Sequence, residues 1–183
     1  MTSFYTKSGD DGYTRILGEG RLPKYDLRLD AVGSVDEANS ALGLARSFTE
    51  NLHTKEIILQ AQRDLYHLMA EVAATPENAV HFRKIDAVRV TWLEEQTDGI
   101  GRNVTVPKEF ITPGDFPSAA AIDLARTVVR RAERSVAQLL HQGDVENVEL
   151  LRYLNRLSSL CYILELAEFQ NHVSQGPTLA KDD

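Results

Sequence analysis

A chain of 183 residues with 43% hydrophobic and 26% charged residues is long and apolar enough for one soluble domain with a substantial core. Its formal net charge of −7 excludes a general nucleic-acid or membrane-surface binder, so a polyanionic ligand has to meet a local basic cluster. Cys161, the single cysteine, excludes an intramolecular disulfide, and no apolar signal core or membrane-length run is found, which makes the cytoplasm the expected compartment.

Five of the eleven glycines (Gly9, Gly12, Gly18, Gly20 and Gly33) fall in the first 33 residues, where neither a helical nor a strand period is found. Residues 1–32 are therefore expected to be a long loop, either functional or a flexible arm. Within it, Thr6-Lys-Ser-Gly-Asp-Asp-Gly-Tyr-Thr14 suits an anion. Glycine lets backbone N–H groups converge, and Lys7, Ser8 and Thr14 add side-chain donors. It is not a P-loop, because Lys7 precedes its glycines.

From there the pattern is helical. A first helix is expected to open at Ser34-Val-Asp-Glu37, a capping-box pattern, with Ala41, Leu44, Ala45 and Phe48 on one side. A second runs from about Thr54 to Ala74 and stops at Thr75-Pro76; a third spans about Ile85 to Thr97 and ends at Gly99. A connection through Pro107, Phe110, Pro113 and Gly114 leads to a fourth helix, from near Pro117 to about His141. Gly143-Asp144 closes it and caps a fifth, which continues to about Gln170, and residues 173–183 read as a frayed tail. The expected fold is all-α: one domain over 1–183, with a five-helix bundle at 33–172 behind a Gly-rich loop.

Arg126, Arg130 and Arg134 step by four along the fourth helix, with Glu133 between them. Guanidiniums in one stripe repel one another unless anions face them, and the planar fork of arginine grips phosphate oxygens well. The plain alternative is a solvated basic face. Arg152, Asn155, Arg156 and Ser159 share a quadrant of the fifth helix, and antiparallel packing can turn that quadrant toward the stripe. Loop and stripe together favour a nucleotide polyphosphate. Glu50-Asn-Leu-His53 has Glu-x-x-His spacing, but no second copy exists to build a di-iron bundle, so no protein-held metal is expected. On residue type alone, Asp36 is a first-turn carboxylate, Phe110 a core plug and Cys161 a small buried apolar group.

Six blocks carry a resemblance to a known family. They are Tyr5-Thr-Lys-Ser-Gly-Asp-Asp-Gly-Tyr-Thr14, Lys24-Tyr-Asp-Leu-Arg28, Ala31-Val-Gly-Ser-Val-Asp-Glu-Ala-Asn39, Phe110-Ile-Thr-Pro-Gly114, Ala125-Arg-Thr-Val-Val-Arg-Arg-Ala-Glu-Arg134 and Tyr153-Leu-Asn-Arg-Leu-Ser158. Over nearly its whole length the chain resembles the PduO-type ATP:cob(I)alamin adenosyltransferases. That resemblance implies a ferritin-like homotrimer of five-helix bundles, with ATP and corrinoid bound between subunits. The implied activity is transfer of the 5′-deoxyadenosyl group of ATP to cob(I)alamin as co-substrate, with release of triphosphate. The implied ATP site comprises Thr6, Lys7, Ser8, Gly9, Thr14, Arg15, Lys24, Arg130, Glu133, Arg134 and Asn155, with Glu133 orienting the arginines or helping to place Mg²⁺. Phe110 matches an aromatic that displaces the lower ligand of the corrinoid, and Asp36 and Arg126 match a pair that bridges two subunits. The implied partners are a corrinoid reductase and an adenosylcobalamin-dependent enzyme, with no nucleic acid and no membrane.

Three positions depart from the family pattern. Asp115 stands where a second glycine or small residue is common, Asp123 where a histidine is common, and Ser159 where an aspartate is common. The later arginine of the family is also missing. None touches the implied phosphate ligands; all lie toward the corrinoid side. An alternative function is therefore a relative that binds or delivers corrinoid or nucleotide without efficient turnover.

Overall fold

The structure is a computed structural model and describes residues 4–172 and 176–181. A short antiparallel hairpin, β1 (Tyr13–Arg15) and β2 (Arg21–Pro23), precedes six helices. These are α1 (Leu27–Phe48), α2 (Leu52–Val72), α3 (Pro76–Phe82), α4 (Ala87–Gly101), α5 (Pro117–Gln142) and α6 (Val148–His172). Five long helices form the bundle, as expected, and α3 is a short addition after α2. Among the described residues, no helix is long and apolar enough to cross a membrane.

The core explains the helix phases. Ala31, Val35, Ala38, Leu42 and Ala45 of α1 are fully or almost fully buried, and so are Ile122, Ala125, Val129, Ala132, Val136 and Leu139 of α5. Both sets alternate steps of three and four, the seam of closely aligned helices. Alanines along both seams let the backbones approach. Leu44 and Phe48, expected on the buried side of α1, are 46% and 50% exposed. Of the expected face, Ala45 lies on the buried seam, which continues through Leu42 and Ala38 and turns Leu44 and Phe48 outward.

Helix α1 begins at Leu27, seven residues before the apparent capping box at Ser34–Glu37, which lies inside the helix. Its N-cap is Asp26, whose side chain accepts from Arg28 N–H at 2.9 Å. The buried guanidinium of Arg28 then donates to the carbonyls of Val72 (2.8 Å), Ala74 (3.0 Å) and Asp144 (2.7 Å). One side chain thus ties the first turn of α1 to the end of α2 and the α5–α6 turn, and satisfies carbonyls that the helix ends leave open.

Other boundaries follow local chemistry. Pro76 does not only stop α2; it opens α3 at a position where a missing N–H costs nothing. Helix α4 passes Gly99 and ends at Gly101. Gly143 closes α5 in the left-handed conformation (φ 80°), as expected, but Asp144 does not cap α6. That helix starts at Val148, and Asn147 Oδ1 accepts from Glu149 N–H at 3.1 Å. Residues 173–175 and 182–183 of the expected frayed tail lie outside the described residues, while 176–181 pair with the Phe110 loop. Thr112 N–H donates to the Thr178 carbonyl and Ala180 N–H to that of Phe110, each at 2.7 Å. Asp115 accepts from Thr178 N–H (2.9 Å) and from its hydroxyl (2.8 Å), which gives the unexpected aspartate a structural task.

Candidate functional site

Two pockets open along the α5–α6 seam. In the first, Arg130, Glu133, Arg134 and Ala137 of α5 face Leu151, Arg152, Asn155 and Arg156 of α6 across a cleft of about 430 Å³. Each set follows the three- and four-residue spacing of one helix face, with the buried seams of the same helices beneath. Asn155 Nδ2 donates to Glu133 Oε1 at 2.8 Å, while Asn155 Oδ1 accepts from Arg156 Nη1 at 2.7 Å. Arg156 Nε in turn donates to Glu94 Oε1 at 2.7 Å. This chain fixes the amide and the carboxylate in the cleft. Arg130 and Arg134 enter no ion pair among the described residues, whereas Arg131, one position away, pairs outward with Glu37. Two uncommitted guanidiniums beside an ordered Glu–Asn–Arg chain form a site for a multiply charged anion.

The arginine stripe therefore divides. Arg126 lies outside the cleft and is held by Asp123 of its own helix, through Nε at 2.8 Å and Nη2 at 2.6 Å. It lines a second pocket of about 390 Å³ together with Phe110 and its loop neighbours, Asp123, Tyr162 and Glu165. Phe110 is 87% exposed, which overturns its reading as a core plug. Asp36 is exposed on α1 and forms no ion pair with Arg126 within the chain.

Glu165 is 3% exposed, and its Oε2 has no hydrogen-bond partner among the described residues. Burial above all, and then the negative charge of Asp123, pushes its carboxyl up to about 7 against the opposing pull of Arg126. Cys161 is fully buried, and that burial pushes its thiol up to about 12, so it is inert packing.

The N-terminal loop is ordered by its own contacts. Arg21 donates to both oxygens of Asp11 (2.8 and 2.7 Å) and to the carbonyls of Ser8 (2.8 Å) and Tyr13 (3.1 Å). The Arg21 guanidinium, and then the Tyr13 N–H, hold the Asp11 carboxyl below the usual carboxylate range. Lys7 has a left-handed backbone (φ 58°), and the Thr6 and Ser8 hydroxyls share a hydrogen bond of 2.8 Å. Lys24 lies over Gly9, where an added Cβ would meet its Nζ at 2.9 Å. Among the described residues, the hydrogen bonds of residues 6–15 stay within residues 6–24. Within one chain, then, Arg130, Glu133, Arg134 and Asn155 come together, and Thr6, Lys7, Ser8, Gly9, Thr14, Arg15 and Lys24 form a separate group.

The sequence reading placed Arg152 and Arg156 on the correct helix face but left them out of the site. It missed Arg21, which has no motif and gains meaning only when the hairpin folds. Tyr162 and Glu165 were also missed, although a glutamate between Leu164 and Leu166 was a legible anomaly.

The sequence profile described as cobalamin adenosyltransferase matches residues 4–168. The chain belongs to the cobalamin adenosyltransferase family. Within it, a corrinoid adenosyltransferase of Mycobacterium leprae is 36% identical over 172 residues, with 90% of each chain covered. The corrinoid adenosyltransferase PduO of Citrobacter freundii is 34% identical over 178 residues; these are 94% of this chain but 53% of that protein, so the chain spans about half its length. A phenylalanine-to-alanine variant of a PduO-type ATP:corrinoid adenosyltransferase from Lactobacillus reuteri, complexed with cobalamin and ATP, superposes with a TM-score of 0.86. It is 33% identical, with 98% of this chain and 100% of that one covered. An arginine-to-lysine variant from Lactobacillus reuteri, complexed with ATP, gives a TM-score of 0.85 at 33% identity, with 97% and 100% covered.

Proposed function

We propose that this family member transfers the 5′-deoxyadenosyl group of ATP to cob(I)alamin, binding ATP at the α5–α6 cleft and the corrinoid beside Phe110. The observation that carries this reading is the pair of uncommitted guanidiniums, Arg130 and Arg134, above the fixed Glu133–Asn155–Arg156 chain. Reduced cobalt is itself a strong nucleophile, so the protein needs no catalytic base. The Co–C5′ bond forms as the C5′–O bond breaks, and triphosphate leaves with the electron pair. The tasks left to the protein are alignment and stabilisation of the departing charge.

In this reading Arg130 and Arg134 grip the phosphates, joined by Lys7, Arg15 and Lys24. Thr6, Ser8, Gly9 and Thr14 supply hydroxyl and backbone donors. Asn155 holds sugar or phosphate. Glu133 orients its neighbours and is the cleft carboxylate available to Mg²⁺, which commonly takes one or two carboxylates plus substrate phosphates. Phe110 excludes the lower ligand of the corrinoid. The similar phenylalanine variant has been seen with cobalamin and ATP bound and the similar arginine variant with ATP, and the two substituted residues stand as far apart in sequence as Phe110 and Arg130.

The loop and the cleft belong to different subunits of a homotrimer in this reading. The loop of one copy completes the cleft of the next, and Asp36 of one copy meets Arg126 of another. The hydrogen bonding of residues 6–15, which among the described residues stays within the N-terminal segment, and the exposed Leu44, Phe48 and Leu124 support it. A corrinoid reductase would supply the reduced substrate in the cytoplasm, and an adenosylcobalamin-dependent enzyme would accept the product. The test is anaerobic incubation of cob(I)alamin with ATP and Mg²⁺. Adenosylcobalamin and triphosphate in equal amounts support the reading.

A second reading, binding and delivery without efficient turnover, rests on Asp123. This residue already neutralises Arg126, which the resemblance pairs with Asp36. Tight binding of both ligands with no Co–C bond formed would select it.

A further inference from the structure

The Phe110 pocket contains a buried carboxyl that the reaction does not require. Glu165 borders the pocket from α6, is almost wholly shielded, and among the described residues leaves Oε2 without a partner. A buried acceptor left unpaired costs roughly 1–3 kcal/mol, so its retention calls for a ligand that completes it. Its neighbours define that ligand. Asp123 and Arg126 of α5 cancel each other at 2.6 Å, and Lys108 and Glu109 on the loop carry opposite charges, while Tyr162 from α6 is neutral. Glu165 alone is left over: ionised, it gives the pocket one net negative charge; neutral, it leaves the pocket balanced.

We propose that Glu165 is a corrinoid-selecting residue whose unpartnered carboxyl grips a peripheral carboxamide of the corrin ring beside Phe110. This rests on the corrinoid reading above. A corrin ring is an apolar disc rimmed with primary amides, and the pocket offers the same pair of features: an exposed phenylalanine face and a shielded hydrogen-bonding group. Once the side chain turns its shielded Oε2 toward the ring, a neutral carboxylic acid donates its O–H to an amide carbonyl while its own carbonyl accepts the amide N–H, two bonds to one side chain. An ionised carboxyl loses the donor. Burial and Asp123 hold Glu165 in the neutral form up to about pH 7, so the two-bond form prevails at and below neutrality. Glu165 is a positioning and selectivity group here; it contacts the rim of the substrate, not the cobalt.

The test is spectral titration of the ATP-loaded full chain with cob(II)alamin at pH 6 and pH 8. Wild-type affinity should fall several-fold between the two. Glu165→Gln keeps a neutral donor and acceptor, so it should bind about as well as wild type at pH 6 and show no pH dependence. Glu165→Leu should bind about tenfold more weakly at pH 6, the loss of roughly one net hydrogen bond, with ATP affinity unchanged. A cobalamin with one peripheral amide hydrolysed to a carboxylate should be rejected most strongly at pH 8. Wild-type affinity in Glu165→Leu at pH 6 overturns the proposal. If that variant does not fold, Glu165→Gln decides: a retained pH slope overturns it equally. A wild-type protein that binds ATP but no cobalamin removes the corrinoid reading itself, before any variant is made.

Discussion

The α5–α6 cleft and the Phe110 pocket share two helices and differ in how their charges are settled. In the cleft, Glu133, Asn155 and Arg156 are engaged with one another, while among the described residues Arg130 and Arg134 are left without carboxylate partners. In the pocket, Arg126 is matched by Asp123, and a second carboxyl, Glu165, adjoins them. Unmatched positive charge suits a highly charged phosphate chain. Matched charge beside an exposed aromatic suits a large neutral ring. In the proposed reading one helix, with arginines repeating every four residues, serves two chemically different ligands through the residues set against each arginine.

The largest expected effect lies in the cleft. Arg130→Ala removes a charge-assisted interaction worth roughly 1.5–3 kcal/mol. ATP affinity should fall about ten- to a hundredfold by calorimetry, and adenosine affinity should hardly change. Arg130→Lys keeps the charge without the fork and should recover only part of the binding. Equal losses for ATP and adenosine would point to general damage and erase the distinction between the two regions.

Next is Phe110→Ala. Being exposed, Phe110 contributes little to the core, so the variant should fold and bind ATP as wild type does. Spectra with ATP and cob(II)alamin should show the four-coordinate species suppressed. An unchanged four-coordinate signal would mean that the ring does not act on the corrinoid.

Asp123→Asn sharpens the comparison from the other side, by releasing Arg126. If Asp123 competes with a neighbouring subunit's Asp36, the variant should lower the corrinoid KM by several-fold. A raised KM would show instead that the intrachain pair positions Arg126. The smallest effect concerns stability. Glu165 has a folded pKa near 7, above the ordinary 4.5 of a glutamate. The unfolded chain therefore ionises first, and stability is lost as pH rises from about 4.5 through about 7. Glu165→Gln should raise the unfolding free energy from urea titration at pH 8, by an amount on the order of 1 kcal/mol, and leave it unchanged near pH 4. An equal shift at both pH values would be a packing effect.

Most of the bundle was legible because its signals were local and repeated. Pro117 and Gly143 bracket α5, and its apolar seam persists over the whole helix. The start of α1 was obscured because Ser34-Val-Asp-Glu37 has a capping sequence, whereas the true cap, Asp26, is stabilised by Arg28 reaching across to α2 and the α5–α6 turn. Such long-range bonds leave no periodic trace. The three-residue strands were too short to show alternation. At the site, Arg130, Glu133, Arg134 and Asn155 were visible as helix faces, but the division of Arg126 from the other two depends on Asp123 winning it, which spacing alone does not decide.

Steady-state kinetics of adenosyl transfer, with ATP and cob(I)alamin varied in turn in Arg130→Ala and Phe110→Ala, test the two-region account most directly. The account predicts a raised KM for ATP alone in the first variant. In the second it predicts a loss confined to the corrinoid-dependent rate, with the KM for ATP unchanged. Parallel losses for both substrates in both variants would contradict it.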